Sequence, residues 1–167
     1  MRIIFLDIDG VILPFNPANR QVALDNARRV TQLAKECNAS VVISSSWRVD
    51  KDSQDRGEVF DWETGHDSAI WVVKYHWLNT ALGLDVPVVG TTPLLGPYMT
   101  IIPGVRGQEI QAWLDAHPEV TEWVALDDFP QWIGPDLAHR TVACEGNHVG
   151  FDETAYIRAK ELFNAQP

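Results

Sequence analysis

The chain has 167 residues, of which 46% are hydrophobic, and a formal net charge of -10. This length and apolar content suffice for one domain with its own core, and no apolar run reaches the roughly 18 residues that a membrane span requires. The negative charge disfavours non-specific adhesion to nucleic acids or anionic membranes, so an anionic substrate would need a local cation. With no basic leader before the first apolar run, the sequence favours a cytoplasmic protein whose two cysteines, Cys37 and Cys144, are reduced.

Apolar patterning predicts alternating strands and helices along the chain. Strands are expected at residues 2–6, 40–44, 86–93, 122–128 and 139–145, and helices at 19–37, 67–83, 107–118 and from about 152 onward. Such alternation is typical of an α/β fold, here a doubly wound parallel sheet with helices on both faces. Residues 48–66 are rich in charge and lack periodicity, which predicts a loop or at most a small lid on a single domain spanning residues 1–167.

Two carboxylates follow the first predicted strand, in the stretch IIFLDIDGVILP. Asp7 and Asp9 are two positions apart, so in an extended chain their side chains project to the same side, while Ile8 turns toward the core. Gly10 lets the backbone turn away and approach a ligand closely. Carboxylates this close repel each other unless one is protonated or a cation lies between them, and Mg²⁺ prefers such oxygen ligands. Taken alone, the motif is more often an Asp-rich turn after a strand than a functional site.

Polar residues also follow two other predicted strands. Ser44 and Ser45 offer hydroxyl groups after the second strand, and Asp127 and Asp128 form a second carboxylate pair after the fourth. Arg106 precedes a predicted helix, where its guanidinium could bind a phosphate. Each feature alone has an ordinary explanation as a turn or a surface ion pair. Because the carboxyl ends of parallel strands meet at one edge of a sheet, we expect these residues to lie near the first carboxylate pair.

This ordered set resembles the haloacid dehalogenase-like (HAD) superfamily of phosphohydrolases and phosphotransferases. The segment FLDIDGV resembles the first motif of that superfamily, so the resemblance implies that Asp7 is the nucleophile and Asp9 the general acid and base. Ser44, with Ser45 as the alternative, would bind the phosphoryl group. Arg106 matches the basic residue of the third motif, which neutralises the phosphate and the nucleophile.

The resemblance also implies a Mg²⁺ site. Asp127 and Asp128 match the acidic pair of the fourth motif, which holds the ion together with Asp7 and the backbone carbonyl of Asp9. More narrowly, the segments SSSWR, TTPLL, RGQEIQAWL and ALDDFP, in this order, resemble the HAD-type domain described in RNA-repair proteins.

Several further residues have competing interpretations. Lys74 is a rival to Arg106 for the basic position, although its place on a predicted helix favours a solvated role. Arg48 either binds a second phosphate of the substrate, holds the lid or forms a structural ion pair. Three tryptophans either stack on nucleobases or pack against other residues: Trp47, Trp62 and Trp132.

The predicted function is that of a Mg²⁺-dependent phosphatase that forms an aspartyl-phosphate on Asp7. Because the segment after Gly10 is too short for a separate cap domain, we expect an open site, which favours a nucleotide or a polynucleotide phosphate end. The alternatives are a small-metabolite phosphatase and a non-catalytic module that binds phosphate or a protein. No G-x-G-x-x-G follows the first strand, which disfavours dinucleotide binding. No membrane partner is expected, and the sequence leaves the oligomeric state open.

Overall fold

A computed structural model describes residues 1–48, 69–95 and 102–165, and for residues 69–75 it describes the backbone alone. The strands in these ranges are β1 (Arg2–Leu6), β2 (Ala39–Ile43), β3 (Val88–Thr91), β4 (Glu122–Asp127) and β5 (Thr141–Ala143). The α-helices are α1 (Arg20–Cys37), α2 (Ala69–Leu82), α3 (Val105–Ala116), α4 (Pro130–Ile133) and α5 (Glu153–Asn164). Two short 3₁₀-helices span Ser46–Arg48 and Pro135–Arg140. The predicted lid, from residue 49 onward, and Trp62 lie outside the described residues.

The five strands form one parallel sheet in the order β3-β2-β1-β4-β5. Helices cover both faces, so the predicted α/β fold with a doubly wound parallel sheet is confirmed. The chain leaves β1 toward β2 and leaves β4 toward β5, so the connections of the two central neighbours run in opposite directions. In open α/β sheets, ligands bind in the crevice that such a reversal opens at the carboxyl ends of the strands.

Side-chain alternation along β1 divides the core into two halves. Ile4 and Leu6 pack with residues of α1, α2 and α5, whereas Ile3 and Phe5 pack on the other face against α3. The same alternation assigns the next position, Asp7, to the face that α3 covers. The strand thus changes from apolar to charged where it reaches the carboxyl edge of the sheet.

Capping residues account for where α1 begins and ends and for where α5 begins. Asn19 accepts a hydrogen bond from the backbone N–H of Gln21 at the start of α1, and Asn38 ends that helix with a φ of 50°. Asp152 caps α5 in the same way. The short helix α4 and both 3₁₀-helices were not predicted, since segments of three to six residues carry no measurable periodicity. None of the described helices is long and apolar enough to cross a bilayer.

One buried polar residue, Asn26 on α1, ties two loops of the carboxyl edge together. Its side-chain amide donates to the backbone carbonyl of Val149 at 2.9 Å and to that of Ile12 at 3.4 Å. Gly150 packs so closely here that an added Cβ would overlap both Asn26 and the Val11 carbonyl. Helix α1 therefore fixes the loop after β1 to the loop that precedes α5.

We expect Asn26→Ala to lower the free energy of unfolding by about 1–3 kcal/mol, because it leaves the buried Ile12 carbonyl and the half-buried Val149 carbonyl without this donor. Urea denaturation monitored by circular dichroism measures this loss. Gln32→Ala is the matched control, since Gln32 is an exposed α1 residue whose side-chain amide donates to Glu36 on its own helix. An equal loss in both variants would contradict the role assigned to Asn26.

Candidate active site

Four polar residues form a single row at the carboxyl edge of the sheet: Thr92, Ser44, Asp7 and Asp127. Asp127 ends β4, and the other three directly follow β3, β2 and β1. The backbone N–H groups of Thr92, Ser44 and Asp7 extend the ladder by donating to carbonyls of the adjacent strand at 2.9–3.0 Å. All four residues are buried, with 0–5% of their surface exposed. The sheet register therefore brings together residues that are far apart in sequence.

Three carboxylates cluster at the end of this row that β1 and β4 form. One carboxylate oxygen from each of Asp7, Asp127 and Asp128 lies within 4.8 Å of the other two. The Asp128 carboxylate packs against Gly10 and Gly146, and a Cβ added to either glycine would overlap it. Gly10 also has a φ of 72°, which side-chain-bearing residues rarely adopt. Both glycines thus leave room for Asp128 to reach the other two carboxylates.

The crowding of these carboxylates changes their acidity. Burial, reinforced by the charge of Asp7, raises the pKa of Asp127 to about 8. The same two causes raise the pKa of Asp128 to about 6. The backbone N–H of Phe129 donates to Asp127 at 2.7 Å and opposes the increase. A divalent cation would offset the repulsion among these carboxylates, and Mg²⁺ prefers such oxygen ligands. The residues therefore fit Mg²⁺.

Arg106, in the first turn of α3, lies beside the cluster as predicted. Its Nη1 is 3.4 Å from Asp7 Oδ2 and 3.6 Å from Asp127 Oδ2. Burial favours the neutral guanidine, but the two carboxylates outweigh it, and the net shift raises the pKa of Arg106. Its guanidinium also lies over the ring of Trp132, 5.3 Å from the centroid. The side chain of Lys74, the rival for this position, lies outside the described residues.

Asp9 has a different environment from the three clustered carboxylates. Its Oδ2 accepts a hydrogen bond from the indole N–H of Trp47 at 2.9 Å. The Trp47 ring also packs against the core on the α1 side of the sheet and lies 6.3 Å from the ring of Trp77. Trp47 thus connects the core to Asp9, and its stacking on a nucleobase stays a prediction, as does that of Trp132.

Arg48 forms a buried ion pair with Glu109 of α3. The two charged groups are 2.6 Å apart, and Arg48 also donates to the backbone carbonyl of Ser45 at 2.7 Å. Burial lowers the pKa of Arg48, while the charge of Glu109 opposes that shift. This contact supports the ion-pair interpretation of Arg48, and binding of substrate by Arg48 or Ser45 stays a prediction.

Buried donors without acceptors are concentrated at the same edge of the sheet. Among the described residues, five such atoms have no hydrogen-bond partner: Ser44 Oγ, Thr92 Oγ1, Arg48 Nε, Arg106 Nη1 and Trp132 Nε1. A buried polar group left unpaired costs about 1–3 kcal/mol, so a concentration of them favours a ligand that supplies acceptors. Phosphoryl oxygens are such acceptors. A donor-rich half thus adjoins the carboxylate cluster.

Three residues of this site were not predicted: Thr92, Glu109 and Gly146. Thr92 lies near the end of the predicted strand at 86–93, so the argument from strand ends that singled out Ser44 applies to Thr92 as well. Glu109 is one helical turn after Arg106, but its partner is 61 positions away. Gly146 contacts Asp128 through a loop with no regular pattern, and nothing in its local sequence indicates this contact.

Comparison with known proteins supports the predicted relationship. The model of a family described as the HAD domain in Swiss Army Knife RNA repair proteins matches residues 3–155. No curated protein and no solved structure matches the chain significantly. The matched range runs from β1 into the first turn of α5 and includes every residue of the carboxylate cluster. The chain therefore belongs to the family of HAD domains found in Swiss Army Knife RNA repair proteins.

Proposed function

We propose that this protein is a Mg²⁺-dependent phosphohydrolase that acts through an aspartyl-phosphate on Asp7. One observation carries the proposal: the buried Asp7 carboxylate lies 3.4 Å from Arg106 and within 4.8 Å of two further carboxylates that can share a cation with it. A nucleophilic carboxylate can approach an anionic phosphate only where positive charge offsets their repulsion. The donor-rich half of the site supports the same reaction.

The first half of the reaction transfers the phosphoryl group to Asp7. The Ile8 N–H donates to Asp7 Oδ1 at 2.7 Å and orients the carboxylate. One Asp7 oxygen forms a bond to phosphorus while the bond to the leaving oxygen breaks, and that oxygen takes a proton from Asp9. Ser44 Oγ and Arg106 donate to the phosphoryl oxygens. The Trp47 N–H holds the Asp9 carboxylate in place during the transfer.

The second half releases phosphate. Asp9, now deprotonated, accepts a proton from water, whose oxygen attacks phosphorus and breaks its bond to Asp7. The carboxylates of Asp7, Asp127 and Asp128, with the backbone carbonyl of Asp9, are the groups that would hold Mg²⁺. When bound, Mg²⁺ supplies positive charge that offsets the repulsion between carboxylate and phosphate.

A nucleotide or polynucleotide phosphate end is the proposed substrate class. The family description refers to RNA repair. In addition, two exposed phenylalanines lie next to the Asp128 loop: Phe129 follows Asp128 directly, and the Phe15 N–H donates to the Gly146 carbonyl. Exposed aromatic rings beside a phosphate site can stack on nucleobases.

Asp7→Asn should abolish Mg²⁺-dependent phosphate release, with a loss of about 10⁴-fold or more, because an amide is a poor nucleophile. The protein should remain folded, since the substitution removes a repelling charge. Phosphate release from an aryl phosphate, with Mg²⁺ or EDTA, measures the effect. Asp115→Asn is the control, because Asp115 is an exposed α3 residue whose carboxylate accepts from Gln111 on the same helix. Retained turnover in Asp7→Asn would exclude the proposed nucleophile.

The substrate class is tested with 3'- and 5'-phosphorylated oligonucleotides, nucleoside monophosphates and sugar phosphates. We expect the highest kcat/KM for substrates that contain a nucleobase, because sugar phosphates cannot stack on aromatic rings. A preference for sugar phosphates would identify a small-metabolite phosphatase instead. Binding of Mg²⁺ and inorganic phosphate without turnover of any substrate would identify a binding module.

The effect of Mg²⁺ on stability should increase with pH. A carboxyl group with a higher pKa in the folded chain than in the unfolded chain contributes stability at low pH and loses it as pH rises through the folded pKa. For Asp128 and Asp127 those values are about 6 and about 8, so the metal-free protein should lose stability as pH rises, with the contribution of Asp128 lost by about pH 6 and that of Asp127 lost by about pH 8. Mg²⁺ replaces the lost protons, and it should therefore raise Tm more at the alkaline end.

Thermal unfolding with millimolar Mg²⁺ or EDTA, from about pH 6 to about pH 8, checks this expectation. Asp128→Asn should raise the Tm of the metal-free protein by about 2–4 °C and remove most of the Mg²⁺ effect. An effect of Mg²⁺ that is equal at all pH values would contradict the site.

A further inference from the structure

A buried ion pair joins segments next to the two proposed phosphate-binding residues, Ser44 and Arg106. Arg48 ends the 3₁₀-helix that follows β2, and Glu109 lies on α3 one turn after Arg106. Their charged groups are 2.6 Å apart, and the two side chains are only 3% and 4% exposed. The pair is therefore shielded from solvent.

The remaining atoms of the pair bind backbone groups of two loops. Arg48 donates to the Ser45 carbonyl at 2.7 Å and, more weakly, to the Pro93 carbonyl at 3.4 Å. Glu109 accepts from the Leu95 N–H at 3.1 Å through its other oxygen. The two side chains thus connect the segment after β2, the segment after β3 and helix α3.

Stability alone does not account for such a pair. The cost of removing two charges from water consumes most of their attraction, and well-packed apolar side chains often support a fold equally well. A planar guanidinium with fixed donor directions instead specifies where its acceptors lie. Here one acceptor is the carbonyl of Ser45, adjacent to Ser44, and another is the carboxylate of Glu109, on the helix that carries Arg106.

We propose that Arg48 and Glu109 are positioning residues that set the separation between Ser44 and Arg106. The inference rests on the proposed function for the roles of those two residues. It assigns Arg48 and Glu109 no contact with the substrate, because they act through the Ser45 carbonyl and through α3. The carboxylate cluster lies directly after β1 and at the end of β4, whereas the described hydrogen bonds of the pair to the backbone go to the segments after β2 and β3.

This placement predicts that removing the ion pair weakens phosphate binding and leaves Mg²⁺ binding unchanged. In Arg48→Met/Glu109→Leu, two apolar side chains replace the ion pair. We expect a folded protein in which kcat/KM for an aryl phosphate falls about 10- to 100-fold, as displaced binding groups can cause. Its affinity for inorganic phosphate should weaken in parallel. Its Mg²⁺ affinity, obtained from the concentration dependence of Tm, should equal that of the parent protein.

Arg2→Met/Glu122→Leu is the matched control. This second arginine and glutamate also lie 2.6 Å apart, but at the opposite, amino-terminal edge of the sheet. The control should leave turnover and the affinities for phosphate and Mg²⁺ unchanged. Arg48→Lys keeps the charge without the planar guanidinium, so it should weaken phosphate binding to an intermediate extent. If the double variant fails to fold, the same measurements on Arg48→Lys decide the proposal.

The outcomes separate the possible roles of the pair. Unchanged turnover and phosphate affinity in a folded double variant would overturn the proposal, as would equal losses of phosphate and Mg²⁺ affinity, which indicate general distortion. Failure of the proposed function would show in the parent protein, as an absence of turnover with every phosphate ester. The affinity for inorganic phosphate then still decides whether the pair positions Ser44 and Arg106.

Discussion

Repulsion among buried carboxylates is the constraint on which the rest of this site depends. Asp7, Asp127 and Asp128 lie within 4.8 Å of one another at an edge of the sheet where little water can screen their charges. Several features of the fold counter this repulsion. Arg106 lies beside two of the carboxylates, and backbone N–H groups donate to Asp7 and Asp127. The carboxylates are thus brought together by the fold despite an electrostatic cost, which is the arrangement expected where a cation contributes to function.

The strand order explains why the site has two chemically different halves. The carboxylate half belongs to the residue after β1, the last residue of β4 and the residue after β4, on both sides of the point where the chain connections reverse. The donor half belongs to the segments after β2 and β3 and to the start of α3, where Ser44, Thr92 and Arg106 lie. Asp7 is at the boundary, since β1 pairs with both β2 and β4. A group bound at Asp7 can therefore contact both halves at once.

The sequence predicted the parts of this arrangement that follow from strand ends. Asp7, Ser44 and Asp127 each come at the end of an apolar run, and parallel pairing brings such positions to one edge. The pairing of Arg48 with Glu109 was beyond prediction, because one buried contact over 61 positions leaves no periodic signal. The glycine at position 146 could not be predicted either, because the side chain that leaves no room for a Cβ there, Asp128, lies on a different loop. The polar residues at the strand ends could thus be predicted from the sequence, whereas the contacts that hold them in place required the tertiary structure.

The charges of the cluster also bear on the order in which ligands bind under the proposed function. Above about pH 8, where all three carboxylates are ionised and Arg106 is protonated, the cluster carries two net negative charges, which one Mg²⁺ would neutralise. A phosphate that arrives before the metal would meet that negative charge in a poorly screened environment, where electrostatic interactions are strong. After the metal binds, the unpaired donors of Ser44 and Arg106 dominate the interaction with phosphate. Without Mg²⁺, the three carboxylates thus repel phosphate. They also hold the cation whose charge allows the site to accept phosphate, so Mg²⁺ should bind first.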